Sequence, residues 1–296
     1  MNICVIFNPA ARGDKARKLR KSLELISRDC VLKPTTAAGM ARTLASQAVR
    51  EGFETIVAAG GDGTLNEVLN GMGDAPDGFA RARLGVLPLG TINVFAREIG
   101  LPKNITAAWQ VVLRGREIRI DLPEVEFMSG GKKERRYFAQ LAGAGTDAAA
   151  VKNVSWELKK KYGQWAYIVA GLKTLRQKQT LISVVADGET AAGEQVALGN
   201  GRFYAGHFKV FPRADLRNGR LEACIFPRVH IGTILRYTLG LVTNRFFGPD
   251  GARYISAANF RLTSETETAL QLDGEYVGEL PASFSIIENG LRIVIP

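Results

Sequence analysis

The chain has 296 residues, 46% of them hydrophobic, and its 39 Lys and Arg against 29 Asp and Glu leave a formal charge of +10. That size and apolar content fit one large or two ordinary globular domains and exclude a disordered or low-complexity chain. Three scattered cysteines (Cys4, Cys30, Cys224) and two histidines exclude a disulfide framework and a Cys/His zinc cluster, while the basic balance calls for an anionic partner.

Asn2–Phe7 reads as a short strand with no charged lead and no cleavage-like ending, so no secretory signal is expected. A loop over Asn8–Gly13 and a helix carrying Leu19, Leu23 and Ile26 follow. A second strand over Cys30–Lys33 ends at Pro34-Thr35-Thr36, before a helix over Gly39–Arg50 with Met40, Leu44 and Ala48 on one face. Thr55–Ala59 is an apolar run of the kind buried in a parallel sheet. It enters Gly60-Gly61-Asp62-Gly63, and then Leu65, Val68, Leu69 and Met72 at helical spacing, with Thr64 and Glu67 forming a capping box at that helix start. Leu84–Leu89 is a further strand, turning at Gly90-Thr91 into a helix with Ile92, Phe95, Ala96 and Ile99 on one face. Strands alternating with amphipathic helices predict a parallel sheet covered on both faces, whose ligands bind beyond the carboxyl ends of the strands.

From about Asp121 the pattern changes to short strands: Leu122–Met128, Arg135–Leu141, Leu181–Ala186, Gln195–Leu198, Phe208–Phe211, Leu221–Phe226, Phe260–Thr263, Ala269–Leu272, Phe284–Ile287 and Leu291–Ile295. Two helical insertions are expected, over Val154–Gln177 and Ile231–Asn244. The longest apolar run, Ile231–Phe247, is broken by Arg236, Asn244 and Arg245, so no membrane span is expected. The predicted fold class is an α/β nucleotide-binding domain over 1–122 followed by a β-sandwich-like domain over 123–296, whose last strands can pack back on the first.

Four turns of the first domain bear the residues that cradle phosphates: Asn8–Gly13, Thr35-Thr36, the Gly60 turn, and Gly90-Thr91-Ile92-Asn93. Glycines let backbone N–H groups approach an anion that the helix dipole favours, and Arg12 adds a guanidinium. Asp62 puts one carboxylate inside this cradle, where it suits a bridging divalent cation or an orienting contact to the loop. No Gly-x-x-x-x-Gly-Lys-Ser/Thr motif is present. Gly143-Ala144-Gly145-Thr146-Asp147-Ala148 matches a loose dinucleotide fingerprint but lies outside the β/α repeat. Asp273-Gly274 between two strand runs reads as a hairpin turn, and His207 as a strand residue without a catalytic role.

The Asn8-Pro9 turn, Gly60-Gly61-Asp62-Gly63-Thr64-Leu65-Asn66-Glu67 and Leu87-Pro88-Leu89-Gly90-Thr91-Ile92-Asn93 resemble the diacylglycerol/sphingosine kinase catalytic family, most closely its bacterial soluble lipid kinases. Ile120-Asp121-Leu122, the block over 143–148 and Leu272-Asp273-Gly274-Glu275 extend the resemblance over nearly the whole chain. It implies a fold of the kind shared by NAD kinases and diacylglycerol kinases, with ATP as donor, Mg²⁺ as cofactor and a lipid hydroxyl as acceptor. It assigns nucleotide contacts to Asn8, Pro9, Arg12, Gly13, Thr35, Gly60 through Glu67 (Gly61, Asp62, Gly63, Thr64, Leu65 and Asn66 between them), Gly90, Thr91 and Asn93. It makes Glu275 the proton acceptor, with Asp273 beside it and Asp62 at the phosphates, and it puts a structural Mg²⁺ at Asp215, Asn218 and Arg220.

This chain departs from the family twice. Asn218-Gly219 stands where the family commonly has Asp-Gly, which weakens the metal reading, and Val94 stands where it usually has an aspartate. The basic and aromatic segment with Trp156, Trp165, Tyr167 and Ile168 suits an interfacial helix, or equally a core-packed helix with a solvated face. The expected partners are ATP, a membrane lipid and an anionic membrane surface, with no nucleic acid; a homodimer stays open. The expected location is the cytoplasm, at the inner face of the membrane. The competing readings are NAD kinase, which shares the Gly-Gly-Asp-Gly-Thr turn, and a non-catalytic nucleotide- or lipid-binding regulator. A nucleic-acid-binding protein lacks any supporting motif.

Overall fold

The computed structural model describes residues 2–9, 28–153, 179–233, 235, 236, 239 and 251–296. Arg12, Gly13, the helix expected around Leu19–Ile26, the insertion over 154–177 with its tryptophans, and most of 231–244 lie outside the described residues. The chain divides into two compact units, Met1–Leu122 with Glu288–Pro296, and Pro123–Ile287.

In chain order the first unit begins with β1 (Ile3–Phe7), β2 (Val31–Pro34), α1 (Met40–Arg50), β3 (Thr55–Gly60) and α2 (Asp62–Asp74). It continues with α3 (Gly78–Arg81), β4 (Arg83–Pro88), α4 (Val94–Glu98), α5 (Ile105–Arg114) and the start of β5 (Arg116–Ser129). β1 pairs in parallel with both β2 and β3, and β3 pairs in parallel with β4. Strand order therefore reverses at β1, which opens a crevice at the carboxyl ends of the strands. The inner strands are nearly all buried, as their continuous apolar runs require, whereas β2 is an exposed edge closed by Pro34. Ile3, Val5, Val57, Ala59 and Leu87 form one core face with Ala108, Trp109 and Val112 of α5.

Two local expectations are corrected here. The buried face of α1 is Ala41, Ala45, Ala48 and Val49, one position on from the predicted Met40 and Leu44. The large side chains dominate a sequence pattern, but small ones let α1 lie close to α2, which it packs against. The helix after Gly90 is only five residues long and starts at Val94, because Asn93 takes a left-handed φ of 53° and breaks the run from Ile92.

The second unit contains the rest of β5, then β6 (Lys132–Tyr137), β7 (Leu141–Gly145), α6 (Thr146–Asn153), β8 (Ile182–Ala186), β9 (Glu189–Gly193) and β10 (Gln195–Gly199). β11 (Phe203–Tyr204), β12 (Phe208–Lys209), β13 (Leu221–Phe226), β14 (Arg253–Ala257), β15 (Phe260–Ser264), β16 (Ala269–Leu272) and β17 (Glu275–Ile295) complete it. The order β14-β13-β10-β7-β16-β17 is antiparallel throughout, with β15 bridging β17 and β8. Phe127, Phe138, Phe260, Phe284, Leu198, Ile225, Leu270 and Leu272 fill its core. The predicted strands over Phe284–Ile287 and Leu291–Ile295 are stretches of the single 21-residue β17. Its last residues belong to the first unit, where Ile293 pairs in parallel with Leu84. There the Arg292 guanidinium binds Glu117 at 2.7 and 3.2 Å and the Ala80 carbonyl at 2.9 Å. β9 and β14 were not expected, because Glu189–Gly193 and Arg253–Ala257 lack a strong apolar alternation. Among the described residues no helix is long and apolar enough to cross a membrane.

Candidate active-site elements

In the first unit, β3 delivers Gly61 at extended angles, and α2 starts at Asp62 with no side-chain cap. The Gly60 carbonyl accepts hydrogen bonds from the N–H groups of Leu89, at 2.9 Å, and Gly90, at 3.1 Å. The turns after β3 and β4 are therefore laced together through their backbones. A Cβ on Gly90 would lie 2.5 Å from the Gly61 Cα and 2.6 Å from the Asn93 Oδ1, so only glycine allows this approach. Asn93 donates its side-chain N–H to the Gly90 carbonyl at 2.8 Å. The Asp62 Oδ1 accepts the Phe95 N–H at 3.4 Å, so the acid in the glycine turn also faces the first turn of α4. Val94, at the start of α4, is packed at 7% exposure.

Asn8 and Pro9 follow β1 and are exposed, as is Thr91. Thr35 is buried and donates its N–H to the Phe7 carbonyl at 2.9 Å. Gly60, Gly61, Gly63, Thr64, Leu65 and Asn66 belong to the β3–α2 connection and the first turns of α2, with Leu65 and Asn66 buried inward.

Glu67 departs from its predicted role. The N-cap of α2 is Gly61, and the Glu67 carboxylate instead accepts the N–H groups of Gly39 and Ala41, each at 2.9 Å. The capping box predicted with Thr64 is absent; Glu67 caps α1, a neighbour in space. Its charge suits that helix N-terminus, whose own cap position, Gly39, has no side chain.

In the second unit, Asp273 and Gly274 join β16 to β17 with φ of 48° and 85°, and Leu272 faces Glu275 across the ladder. This is the two-residue hairpin that Asp-Gly favours. The Asp273 carboxylate also accepts three backbone N–H groups, from Ala139 at 2.8 Å, Gln140 at 2.9 Å and Leu141 at 3.1 Å. The Asp273 N–H donates in return to the Leu141 carbonyl at 2.8 Å. Asp273 thus anchors the turn, and Glu275 stands exposed at its end.

Next to Glu275, the Tyr276 hydroxyl donates to Glu279. The Lys152 ammonium binds Glu267 at 3.2 Å and Glu279 at 3.3 Å, and lies 4.8 Å from the Tyr276 ring centre. Behind the turn, the Gln271 Oε1 accepts the Gly274 N–H at 2.8 Å and its Nε2 donates to the Asp147 Oδ2 at 3.2 Å. Burial pushes the Asp147 carboxyl upward, against hydrogen bonds from Tyr204 and Gln271 that pull it down. Neither Gln271 nor Lys152 was singled out from the sequence. The available signal was a polar residue inside the otherwise apolar Ala269-Leu270-Gln271-Leu272 run.

The loop proposed for a structural Mg²⁺ turns one oxygen each of Asp215 and Asn218 onto its own backbone. The Asp215 Oδ1 accepts the Arg217 N–H at 3.0 Å, the Asn218 Oδ1 accepts the Arg220 N–H at 3.0 Å, and the Arg220 guanidinium binds the Ser256 carbonyl at 2.6 Å. Asp215 with an amide at Asn218 and a guanidinium at Arg220 is a poor donor set for Mg²⁺. Among the described residues no cluster of three or more His, Cys, Asp and Glu side chains is placed to hold a metal. His207 lies in the turn between β11 and β12, not in a strand, its ring tilted against Phe208 with the ring centres 4.5 Å apart.

The diacylglycerol kinase catalytic domain family matches residues 2–125, and the YegS C-terminal NAD kinase beta sandwich-like domain family matches residues 140–295. A diacylglycerol kinase of Staphylococcus aureus (strain Newman) is 31% identical over 99% of this chain and 91% of its own length. One from Staphylococcus carnosus (strain TM300) is 28% identical over 99% and 94%. A crystal structure of a diacylglycerol kinase from Bacillus anthracis str. Sterne covers 100% of this chain and 97% of its own, with a TM-score of 0.75 at 22% identity. Yeast NADH kinase complexed with NADH shares the fold more distantly, with a TM-score of 0.56 at 11% identity over 100% of this chain and 84% of its own. An α/β unit with a parallel sheet and a β-sandwich-like unit, as the sequence predicted, are the architecture found.

Proposed function

The chain belongs to the diacylglycerol kinase family and is a kinase acting on a lipid hydroxyl, and on that basis we propose that it transfers the γ-phosphoryl group of ATP, with Mg²⁺, to diacylglycerol or a closely related lipid. The observation that carries the nucleotide part is the β3–α2 turn. Gly61 and Gly90 let the turns after β3 and β4 press backbone to backbone, and α2 begins there without a side-chain cap. Such a surface accepts phosphate oxygens through N–H groups and the helix dipole. Asn8, Pro9 and Thr91 extend it from neighbouring turns, and Arg12, Gly13 and Thr35 complete the set by family position.

Asp62 is the acid in this cradle and would hold the cation, its direction fixed by the Phe95 N–H. Mg²⁺ bound there supplies charge neutralisation for the phosphoryl group in transfer. Glu275 takes the proton of the attacking lipid hydroxyl, a general-base contribution of about 10²–10⁴ in rate. Positioning and charge neutralisation provide the larger share. Asp273 acts through the turn and not on the metal, because its oxygens are engaged by three N–H groups. The lipid resides in a bilayer, and the charge of +10 draws the protein to an anionic surface, so it works as a cytoplasmic enzyme at the membrane face.

The test is incubation with labelled ATP and Mg²⁺ against diacylglycerol, sphingoid, ceramide and glycerolipid acceptors, with NAD as a further acceptor and mass identification of the product. Label in diacylglycerol, lost in Asp62→Ala and Glu275→Ala with the fold retained, is the expected result. Folded wild type that labels only NAD, or no acceptor at all, would overturn it.

A further inference from the structure

The Gly143–Asp147 block, which resembles a dinucleotide fingerprint in sequence, takes up a different task in the second unit. Gly143 ends up opposite Gln271 in the β7–β16 ladder. A Cβ on Gly143 would lie 2.7 Å from the Gln271 Nε2 and 3.0 Å from the Asp147 Oδ2, so the pair occupies the space that glycine leaves. Gly145, at φ 101°, turns the chain from β7 into α6, and Asp147 follows in the first turn of that helix.

Gln271 is 1% exposed, so both ends of its amide need partners. Its oxygen holds the Gly274 N–H at 2.8 Å, and its nitrogen holds Asp147 at 3.2 Å. A lone glutamine amide can turn by 180° and present either end. The Gly274 N–H only donates and so takes the Gln271 oxygen, while Asp147 accepts from the nitrogen at the other end and holds the amide in that orientation. The Tyr204 hydroxyl, bonded to the same carboxylate, fixes Asp147 in turn. The Asp273-Gly274 turn is therefore gripped twice, at Asp273 by the N–H groups of residues 139–141 and at Gly274 by the Gln271–Asp147 relay.

We infer that Gln271 and Asp147 are positioning residues that set the backbone of the Asp273-Gly274-Glu275 turn, and with it the Glu275 carboxylate, for phosphoryl transfer. This rests on the reading of Glu275 as the proton acceptor. Neither residue needs to touch the substrate; their effect reaches the reaction through the Gly274 N–H.

The relay can be reversed, which provides the test. Gln271→Glu keeps an acceptor for Gly274 but, assayed at alkaline pH where both carboxyls are ionised, sets two carboxylates against each other, and a displaced turn is expected to lower kcat by about 10- to 100-fold. Asp147→Asn still offers an oxygen to Gln271 and is expected to stay within about threefold of wild type. In the double variant the amide introduced at position 147 donates to the carboxylate introduced at position 271. This restores the relay with opposite polarity and is expected to recover kcat to within about threefold. KM for ATP stays unchanged in all three. Gly143→Ala, which keeps both partners and presses a methyl on the Gln271 Nε2, is expected to lower kcat as Gln271→Glu does. Wild-type kcat in Gln271→Glu, or a double variant no more active than Gln271→Glu, would overturn the inference.

Exchange of the Gly274 amide proton, followed by NMR in wild type and Gln271→Ala, gives a readout that needs no activity. Faster exchange in Gln271→Ala supports the relay even if no lipid is phosphorylated, in which case the kinase reading alone fails. Unchanged exchange overturns the relay and leaves that reading intact.

Discussion

Replacing Asp273 with alanine removes one carboxylate and strands three backbone donors. The N–H groups of Ala139, Gln140 and Leu141 lie 2.8, 2.9 and 3.1 Å from its oxygens, in residues that are themselves buried. A hydrogen bond to a charged group contributes about 1.5–3 kcal/mol, so simple addition would give roughly 4.5–9 kcal/mol. That sum is too large, because Asp273 is only partly buried and water can enter to satisfy part of the vacated set. A net loss of about 3 kcal/mol is expected for Asp273→Ala. Asp273→Asn keeps an oxygen for Gln140 and Leu141 but turns an NH₂ toward the Ala139 N–H, which sets its loss near ~2 kcal/mol. Urea denaturation of the three proteins measures both values. Stability within about 1 kcal/mol of wild type in Asp273→Ala would refute the reasoning and return Asp273 to a role in the chemistry alone.

Gly90→Ala drives a methyl into the Gly61 backbone at 2.5 Å, and should destabilise by about 1–3 kcal/mol and weaken Mg-ATP binding at least about tenfold, read by calorimetry. Glu67→Ala uncaps α1 and should lower stability by about 2 kcal/mol, with Glu67→Gln at about 1 kcal/mol, measured by denaturation; equal losses would refute the two-donor geometry. The Glu117 carboxyl is held below its ordinary value of 4.5, first by its hydrogen bond from Arg292, with Arg83 helping. A depressed folded pKa contributes stability above the unfolded value, and that stability is lost as pH falls through the folded value. Glu117→Gln should therefore trail wild type by less than about 1 kcal/mol at pH ~7, since the pair is partly exposed, and the gap should narrow as the pH falls below 4.5. A gap that persists unchanged in acid would refute the assignment.

The first unit was legible because its signals are local. The apolar runs of β1, β3 and β4, and the glycine turns that follow the last two, declare themselves within a few residues. The Asp273-Gly274 hairpin was legible for the same reason, since a two-residue turn with both φ positive selects that pair. Reading failed where one side chain has two available partners. Thr64 and Glu67 sit at capping-box spacing, yet Glu67 spans 26 and 28 residues to α1, where two bare N–H groups at a helix start outcompete the local bond. Helix faces were misjudged for a related reason: the pattern weights large residues, and α1 packs through alanines.

The parallel α/β unit, the strand-rich second half and the glycine turn that joins β3 to α2 could all be read from the chain before any coordinates. Periodicity and turn chemistry act over a handful of residues and are written directly in the order of side chains. Three features emerged only on folding: Asp273 grips residues 139–141, Gln271 reads Gly274 against Asp147, and the end of β17 joins the first unit at Leu84. Those choices depend on which donors and acceptors are buried together once strands far apart in sequence have paired. An unsatisfied buried group is too costly to leave, so the fold, not the spacing, selects its partner.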